Sequence, residues 1–345
     1  MTIKEIAEKA EVSPGTVDRV LHNRGEVSEK TREKVMRIIE EGNYEPNLFA
    51  RQLVLNREYS IATLLPVHKQ EEFWALPERG INRSAEELKS FGVRNRFYLF
   101  EEENPSDFER VAGEVLKNKP DGLLLAPVIF EKAKWLAGIC DQEQIPLVVI
   151  DADIPDCTRL SAIGQNAFQS GKMAAKLLHL SRYFSRIYMV NITHRINSNS
   201  NQVFRERKRG FVAWFQEQAV LPELHEVNLN VEDKDFKKQL QALVSAFEEN
   251  DSIFVPDSKI HLLAGEVSVQ GKSGKVRMVG YDLVQKNKDY LKAGTIDFLI
   301  NQNPELQGYL GIQSLYKFLV LKQPVQNRVF TPIEIVTSEN MEYIS

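Results

Sequence analysis

The side chains best suited to chemistry in this chain gather at the ends of short aliphatic runs. Asp151 closes "PLVVID", Asp282 closes "RMVGYD" and Gln302 closes "IDFLINQ". Asp257 follows "SIFVP", and Asn166 comes just after "LSAIG". Phe73 and Trp74 stand side by side a little beyond the first run, "SIATLLP". Carboxylates and carboxamides take hydroxyl groups in pairs, and rings stack on the apolar faces of sugars. The set therefore suits a polyhydroxylated small molecule.

Other chemistries find less support. There is no HExxH or CxxC pattern, and the six histidines are scattered, so neither a metal nor a cofactor is expected. "GKSGK" at Gly271 resembles part of a P-loop, but Glu266 occupies the place of the required earlier glycine, and a strand follows where a P-loop has a helix. A solvated loop is expected there. With no Gly-x-Ser-x-Gly elbow and no nucleophile–base pair, the chain does not read as an enzyme.

The elements that must hold the first set follow from the runs. "SIATLLP", "RFYLF", "DGLLLAPV", "PLVVID", "LSAIG", "RIYMVNI", "SIFVP", "RMVGYD" and "IDFLINQ" alternate with amphipathic stretches such as "SDFERVAGEVLKN". Apolar runs with helical spacers predict an α/β fold of doubly wound parallel sheets, which bind ligands at the carboxyl ends of their strands.

The first sixty residues are built differently. Thr2 and Glu5 have the spacing of a capping box, with Ile3, Ile6, Ala7 and Ala10 on one face of the helix behind them. Glu11 and Val12 make a turn. Ser13 and Pro14 then open a second helix with Val17, Val20 and Leu21 inward and Thr16, Arg19 and Asn23 elsewhere. Ser28 opens a third, with Val35, Ile38 and Ile39 inward, ending at Gly42. Three short helices with so tight a first joint predict a helix-turn-helix, whose second helix enters a major groove.

Length and composition set the frame. The 345 residues exceed one ordinary core, and 43% hydrophobic with 27% charged residues is a soluble globular composition. Two cysteines, no bilayer-length apolar run and no secretory signal predict a cytoplasmic protein with no membrane partner. The net charge is −4, and residues 1–60 carry ten Lys/Arg against eleven Asp/Glu. DNA binding there requires charges sorted by face.

The segment "TIKEIAEKAEVSPGTVDRVLHNRGEVSEKTREKV", then "NYEPN" and "ARQL", resembles the head of LacI-family transcriptional regulators over residues 2–53. The resemblance implies that Thr16 contacts phosphate and that Arg19 reads a base edge, most naturally guanine. Ser28, Thr31 and Asn47 match backbone-touching positions, and Thr2, Ser13 and Ala50 join the DNA-binding set. "NLFARQL" matches a hinge helix that folds in the minor groove, with Leu53 wedged into the central base step. Pro14, Gly15, Asp18 and His22 depart from the family pattern and imply a reduced base-contact set, with more specificity from Arg19, the wedge and DNA shape.

Residues 59–340 resemble the type I periplasmic-binding-protein fold that LacI-family regulators share with ribose-type sugar binders. "IPLVVIDAD", "IGQNAFQSGKMAAKLL", "RERKRGF", "MVGYD" and "INQNP" carry the likeness. It implies that Phe73 and Trp74 flank an effector, that Asp151 binds hydroxyls, and that Arg207 of "R-x-x-GF" clamps from the second lobe. Asp257, Asp282 and Gln302 match further ligand positions. The expected layout is a helix-turn-helix domain at 1–46, a hinge helix and linker at 47–58, and a ligand-binding and dimerisation domain at 59–345. Lobe one would hold about 59–164 and 301–322, and lobe two about 165–300 and 323–345. The expected function is a ligand-responsive repressor of carbohydrate-utilisation genes, a homodimer on double-stranded, pseudo-palindromic operator DNA, controlled by a small sugar-like effector. A corepressor-dependent or activating regulator with a non-sugar effector is the alternative.

Overall fold

The computed structural model describes residues 1–21, 25, 27–42, 57–102, 104–180, 186–193, 202–219 and 222–344. His22, Asn47, Ala50, Leu53 and the predicted hinge helix lie outside the described residues. The chain divides into two compact units, Met1–Arg57 and Glu58–Ser345.

The first unit contains α1 (Ile3–Ala10), α2 (Pro14–Leu21) and α3 (Glu29–Glu41). The capping box forms as its spacing requires. The Thr2 N–H donates to the Glu5 carboxylate at 2.7 Å, and Thr2 Oγ1 accepts from the Glu5 N–H at 3.3 Å. Glu11 ends α1 in the left-handed region at φ 56°, and its N–H returns to the Ala7 and Glu8 carbonyls. Ile6, Ala7, Ala10, Val17, Val20 and Val35 form a small shared core.

In the second unit, one sheet takes the order β11-β5-β4-β3-β1-β2. Its strands are β1 (Tyr59–Pro66), β2 (Val93–Phe100), β3 (Gly122–Leu125), β4 (Leu147–Ile150), β5 (Ser161–Gln165) and β11 (Arg328–Thr331), all parallel. The other sheet runs β12-β10-β9-β8-β6-β7. It holds β6 (Arg186–Thr193), β7 (Glu223–Asn230), β8 (Ser252–Phe254), β9 (Arg277–Tyr281), β10 (Phe298–Asn301) and β12 (Glu334–Val336). Only β12 is antiparallel to its neighbour.

Both faces of each sheet are covered, which is why the strands read as continuous apolar runs. On β1, Ala62 and Leu64 pack against α5 (Pro105–Lys117) and α6 (Phe130–Gln142). Ile61 and Leu65 face α4 (Ala75–Glu87) and α12 (Pro304–Leu319). The second sheet lies between α7 (Ala167–Leu180) with α8 (Gln202–Glu217) and the trio α9 (Phe236–Ser245), α10 (Ile260–Val269) and α11 (Gln285–Lys292). Cys140, buried in the lobe-one core, has its thiol pushed up to about 12 by burial and is unreactive.

The chain passes between the lobes three times: β5 to α7, β10 to α12, and β11 to β12. The predicted boundary at 322/323 is corrected here, because β11 still pairs with β5 in the first sheet and lobe one runs on to Thr331. β11 is an edge strand with Arg328 and Phe330 exposed, so it lacks the apolar signature that marks the central strands. The "GKSGK" loop is also more than solvated chain. Lys272 Nζ donates to the carbonyls of Val244, Ser245 and Phe247, capping the end of α9.

Candidate functional site

Asp151 and Asp282 occupy matching places in the two lobes. Each follows the last residue of a central strand, in the left-handed region at φ 70° and φ 68°. Aspartate tolerates that region better than most residues. Each N–H is held by the next strand, Asp151 by the Ile163 carbonyl at 3.0 Å and Asp282 by that of Ile300 at 3.1 Å. Gln307 on α12 adds a second acceptor for the Asp151 N–H at 2.9 Å.

Arg207 is placed by the crossing of α7 and α8. A Cβ on Gly171 would lie 2.0 Å from the Arg207 carbonyl oxygen, and one on Gly210 would lie 1.9 Å from that of Phe168. Two glycines thus let the backbones touch, which brings the Arg207 guanidinium 3.6 Å from the centre of the Tyr281 ring. Its terminal nitrogens donate to the Pro256 carbonyl at 2.8 Å and to Gln302 Oε1 at 3.0 Å. Gln302 Nε2 in turn donates to Asp282 Oδ2 at 3.1 Å. Arg207 is 1% exposed, so its charge is felt at short range through a poorly screening interior.

These groups open onto a cavity of about 450 Å³ between the lobes. Around it, Asp257 Oδ2, Asp282 Oδ1 and Arg207 Nε are buried without a hydrogen-bond partner. Buried polar atoms are rarely left so, and a ligand rich in hydroxyls, each both donor and acceptor, would satisfy all three. Burial pushes Asp151 up to about 6 and Asp282 up to about 7, while the Arg207 charge pulls both back. Asp257 is also raised by burial, against Lys259, whose N–H donates to Oδ1 at 2.7 Å. Three acids around Arg207, with Lys259 Nζ 3.9 Å from Asp257 Oδ2, make a site rich in acceptors for hydroxyl donors.

Seven of the eight predicted effector residues line this cavity: Phe73, Trp74, Asp151, Arg207, Asp257, Asp282 and Gln302. Trp74 is only 6% exposed and belongs largely to the lobe-one core, with Phe73 edge-on to it at 4.9 Å. Asn166 lies elsewhere: its Oδ1 accepts from the Gln169 N–H at 3.0 Å, opening α7. The chain leaves β5 directly for the other lobe, so this strand end borders a crossing. Lys69, Glu102 and Phe204 also line the cavity and were not anticipated. Lys69 and Glu102 lie beyond the ends of β1 and β2, and Phe204 is one helical step from Arg207, so the same rules could have found them.

In the first unit, Ser13, Pro14, Gly15, Asp18 and Arg19 are exposed. The Thr16 N–H donates to Ser13 Oγ at 3.2 Å, and the Thr31 N–H to Ser28 Oγ at 3.3 Å. Two helix N-termini therefore present hydroxyls beside backbone N–H groups, an arrangement that accepts phosphate oxygens. Gly15 has a use beyond its lack of side chain: its carbonyl accepts from Arg19 Nε at 3.2 Å, which holds the guanidinium along α2.

Residues 61–323 match the periplasmic binding protein domain family, and residues 2–47 match the lacI family of bacterial regulatory proteins. The ribose operon repressor of Lactococcus lactis is 24% identical, with 99% of this chain and 98% of that protein aligned. The HTH-type transcriptional repressor PurR of Edwardsiella ictaluri is 25% identical over 93% of this chain and 91% of its own. A Bacteroides fragilis protein assigned as a LacI transcriptional regulator superposes with a TM-score of 0.77 at 27% identity, covering 84% of this chain and all of that one. The glucose-galactose binding protein GanP of Geobacillus stearothermophilus shares the fold at a TM-score of 0.69 and 18% identity, over 82% and 99% of the two chains.

Proposed function

Because the chain belongs to the lacI family of bacterial regulatory proteins, with a periplasmic binding protein domain as its larger part, we propose that it represses carbohydrate-utilisation genes under the control of a sugar-like effector. The observation that carries this reading is the interlobe cavity, where two carboxylates, Asp257 and Asp282, and Arg207 leave buried hydrogen-bonding atoms unmet. The relatives named for ribose and sucrose operons favour a saccharide. The acid excess favours an uncharged one over a sugar phosphate or sugar acid.

The protein acts in the cytoplasm as a dimer, one α2 per half-site of a pseudo-palindromic operator. Arg19 reads a guanine, while Thr2, Ser13, Thr16, Ser28 and Thr31 position the head on phosphates, with Asn47, Ala50 and Leu53 completing the contact. Effector held by Asp151 from one lobe and by Arg207, Asp257 and Asp282 from the other draws the lobes together about the three crossings. Among the described residues no helix is long and apolar enough to cross a membrane, and no group of three or more His, Cys, Asp or Glu could hold a metal ion.

A gel-shift experiment with duplexes from the gene's own promoter region tests this. The wild type retains one duplex, and Arg19→Ala weakens retention by about 1–3 kcal/mol, the worth of one bidentate base contact. If no duplex is retained, or if Arg19→Ala binds like wild type, the DNA-reading role assigned here is wrong.

A further inference from the structure

A second cavity, of about 340 Å³, adjoins the first, and Asp151 and Val203 line both. Its remaining walls come from both lobes: the ends of β5 and β11 on one side, the starts of α7 and α8 on the other. Phe168 and Phe330 line it, and Phe330 is 56% exposed, unusual for so large an apolar side chain. Asn166, which misses the main cavity, lines this one.

The polar groups of this chamber define what it lacks. Gln165 Nε2 donates to the Asn301 and Pro332 carbonyls, each at 3.0 Å. Those two acceptors fix which end of the carboxamide is the amino group, and Oε1 is left buried without a partner. Gln202 Oε1 is likewise buried and unpartnered. Asp153 is ion-paired with Arg159 and Arg328, and Glu206 with Arg209, while Asp151 stands at the boundary shared with the main cavity. The unmet requirement is thus for uncharged hydrogen-bond donors beside aromatic rings.

We infer that the effector has two sugar rings, or one ring bearing a hydroxylated aglycone: the first ring sits between Asp151 and Asp282, and the second unit extends past Asp151 into the chamber of Gln165, Gln202, Phe168 and Phe330. This extension rests on the carbohydrate reading above. Hydroxyls of the second unit donate to the two glutamine oxygens, and its apolar face lies against the rings.

Titration calorimetry on the full chain tests it, with hexoses and pentoses each compared with their disaccharides and their methyl and phenyl glycosides. One disaccharide is expected to bind at least about tenfold tighter than its component monosaccharide, about 1.4 kcal/mol. Gln202→Ala and Phe330→Ala, both outside the main cavity, are expected to shrink that gap to under about threefold while leaving monosaccharide affinity unchanged. A monosaccharide that binds as tightly as every larger ligand overturns this inference and leaves the carbohydrate reading standing. So do variants that weaken both ligands equally. If no saccharide binds, both fall together.

Discussion

Asp282 shows how the site trades stability for binding. Its carboxyl, 2% exposed, is raised to about 7 by burial, against the pull of Arg207 and Gln302. In the unfolded chain it ionises near 3.8. The folded state therefore holds its proton more tightly, and the stability this confers is complete below about pH 4 and lost as pH rises through about 7. Hydroxyl donors favour the ionised form, so effector binding releases protons, and affinity should climb between about pH 5.5 and pH 8. Asp282→Asn removes the burden and should stabilise the ligand-free protein at about pH 8 by roughly 1–2 kcal/mol, while abolishing stabilisation by saccharide. Thermal melts across pH with and without ligand check both; a flat affinity profile, or a variant that melts lower at high pH, goes against this account of the aspartate.

The α7–α8 crossing is the element on which Arg207 depends. The atoms facing Gly171 and Gly210 are backbone carbonyls, which cannot swing aside as a side chain could. Gly210→Ala should cost about 1–3 kcal/mol of stability through overpacking and also weaken effector binding, because the displaced turn carries Arg207. Denaturant melts paired with calorimetry would show it, and lost stability with unchanged effector affinity would separate the crossing from the site. Elements like this one are legible in the sequence only in part. The central strands announce themselves because both their faces are buried. β7, β11 and β12 were passed over because an edge strand alternates or carries charge, as in "ELHEVNLN" and "RVFT". Missing β11 displaced the predicted lobe boundary. The strand-end rule located Asp151, Asp257, Asp282 and Gln302, since chain leaving a central strand faces the cavity. It did not bring Asn166 to the main cavity, since β5 ends at a crossing and Asn166 lines the adjoining chamber, and the sequence does not say which strand ends do so. Arg207 was legible only through "R-x-x-GF", whose glycine is explained by the contact it permits.

As a whole, the larger unit is two similar lobes joined by three crossings and one shared fastening. Gln165 on the first crossing donates to Asn301 at the second and to Pro332 at the third. The Thr331 hydroxyl reaches the Gln302 carbonyl at 2.9 Å, so the fastening touches the same residue that joins Arg207 to Asp282. Effector contacts and crossing geometry therefore meet at Gln302, whose side chain joins Arg207 to Asp282 and whose carbonyl takes the Thr331 hydroxyl, so an effector would be felt at the crossings. The direct test is operator affinity, measured by fluorescence anisotropy with and without the tightest saccharide, in the wild type and in Asp282→Asn. The account predicts that the saccharide changes wild-type operator affinity by about tenfold or more, and that Asp282→Asn binds operator as wild type does when ligand-free yet no longer responds. An operator affinity indifferent to every bound saccharide, or an Asp282→Asn protein that responds in full, would contradict it.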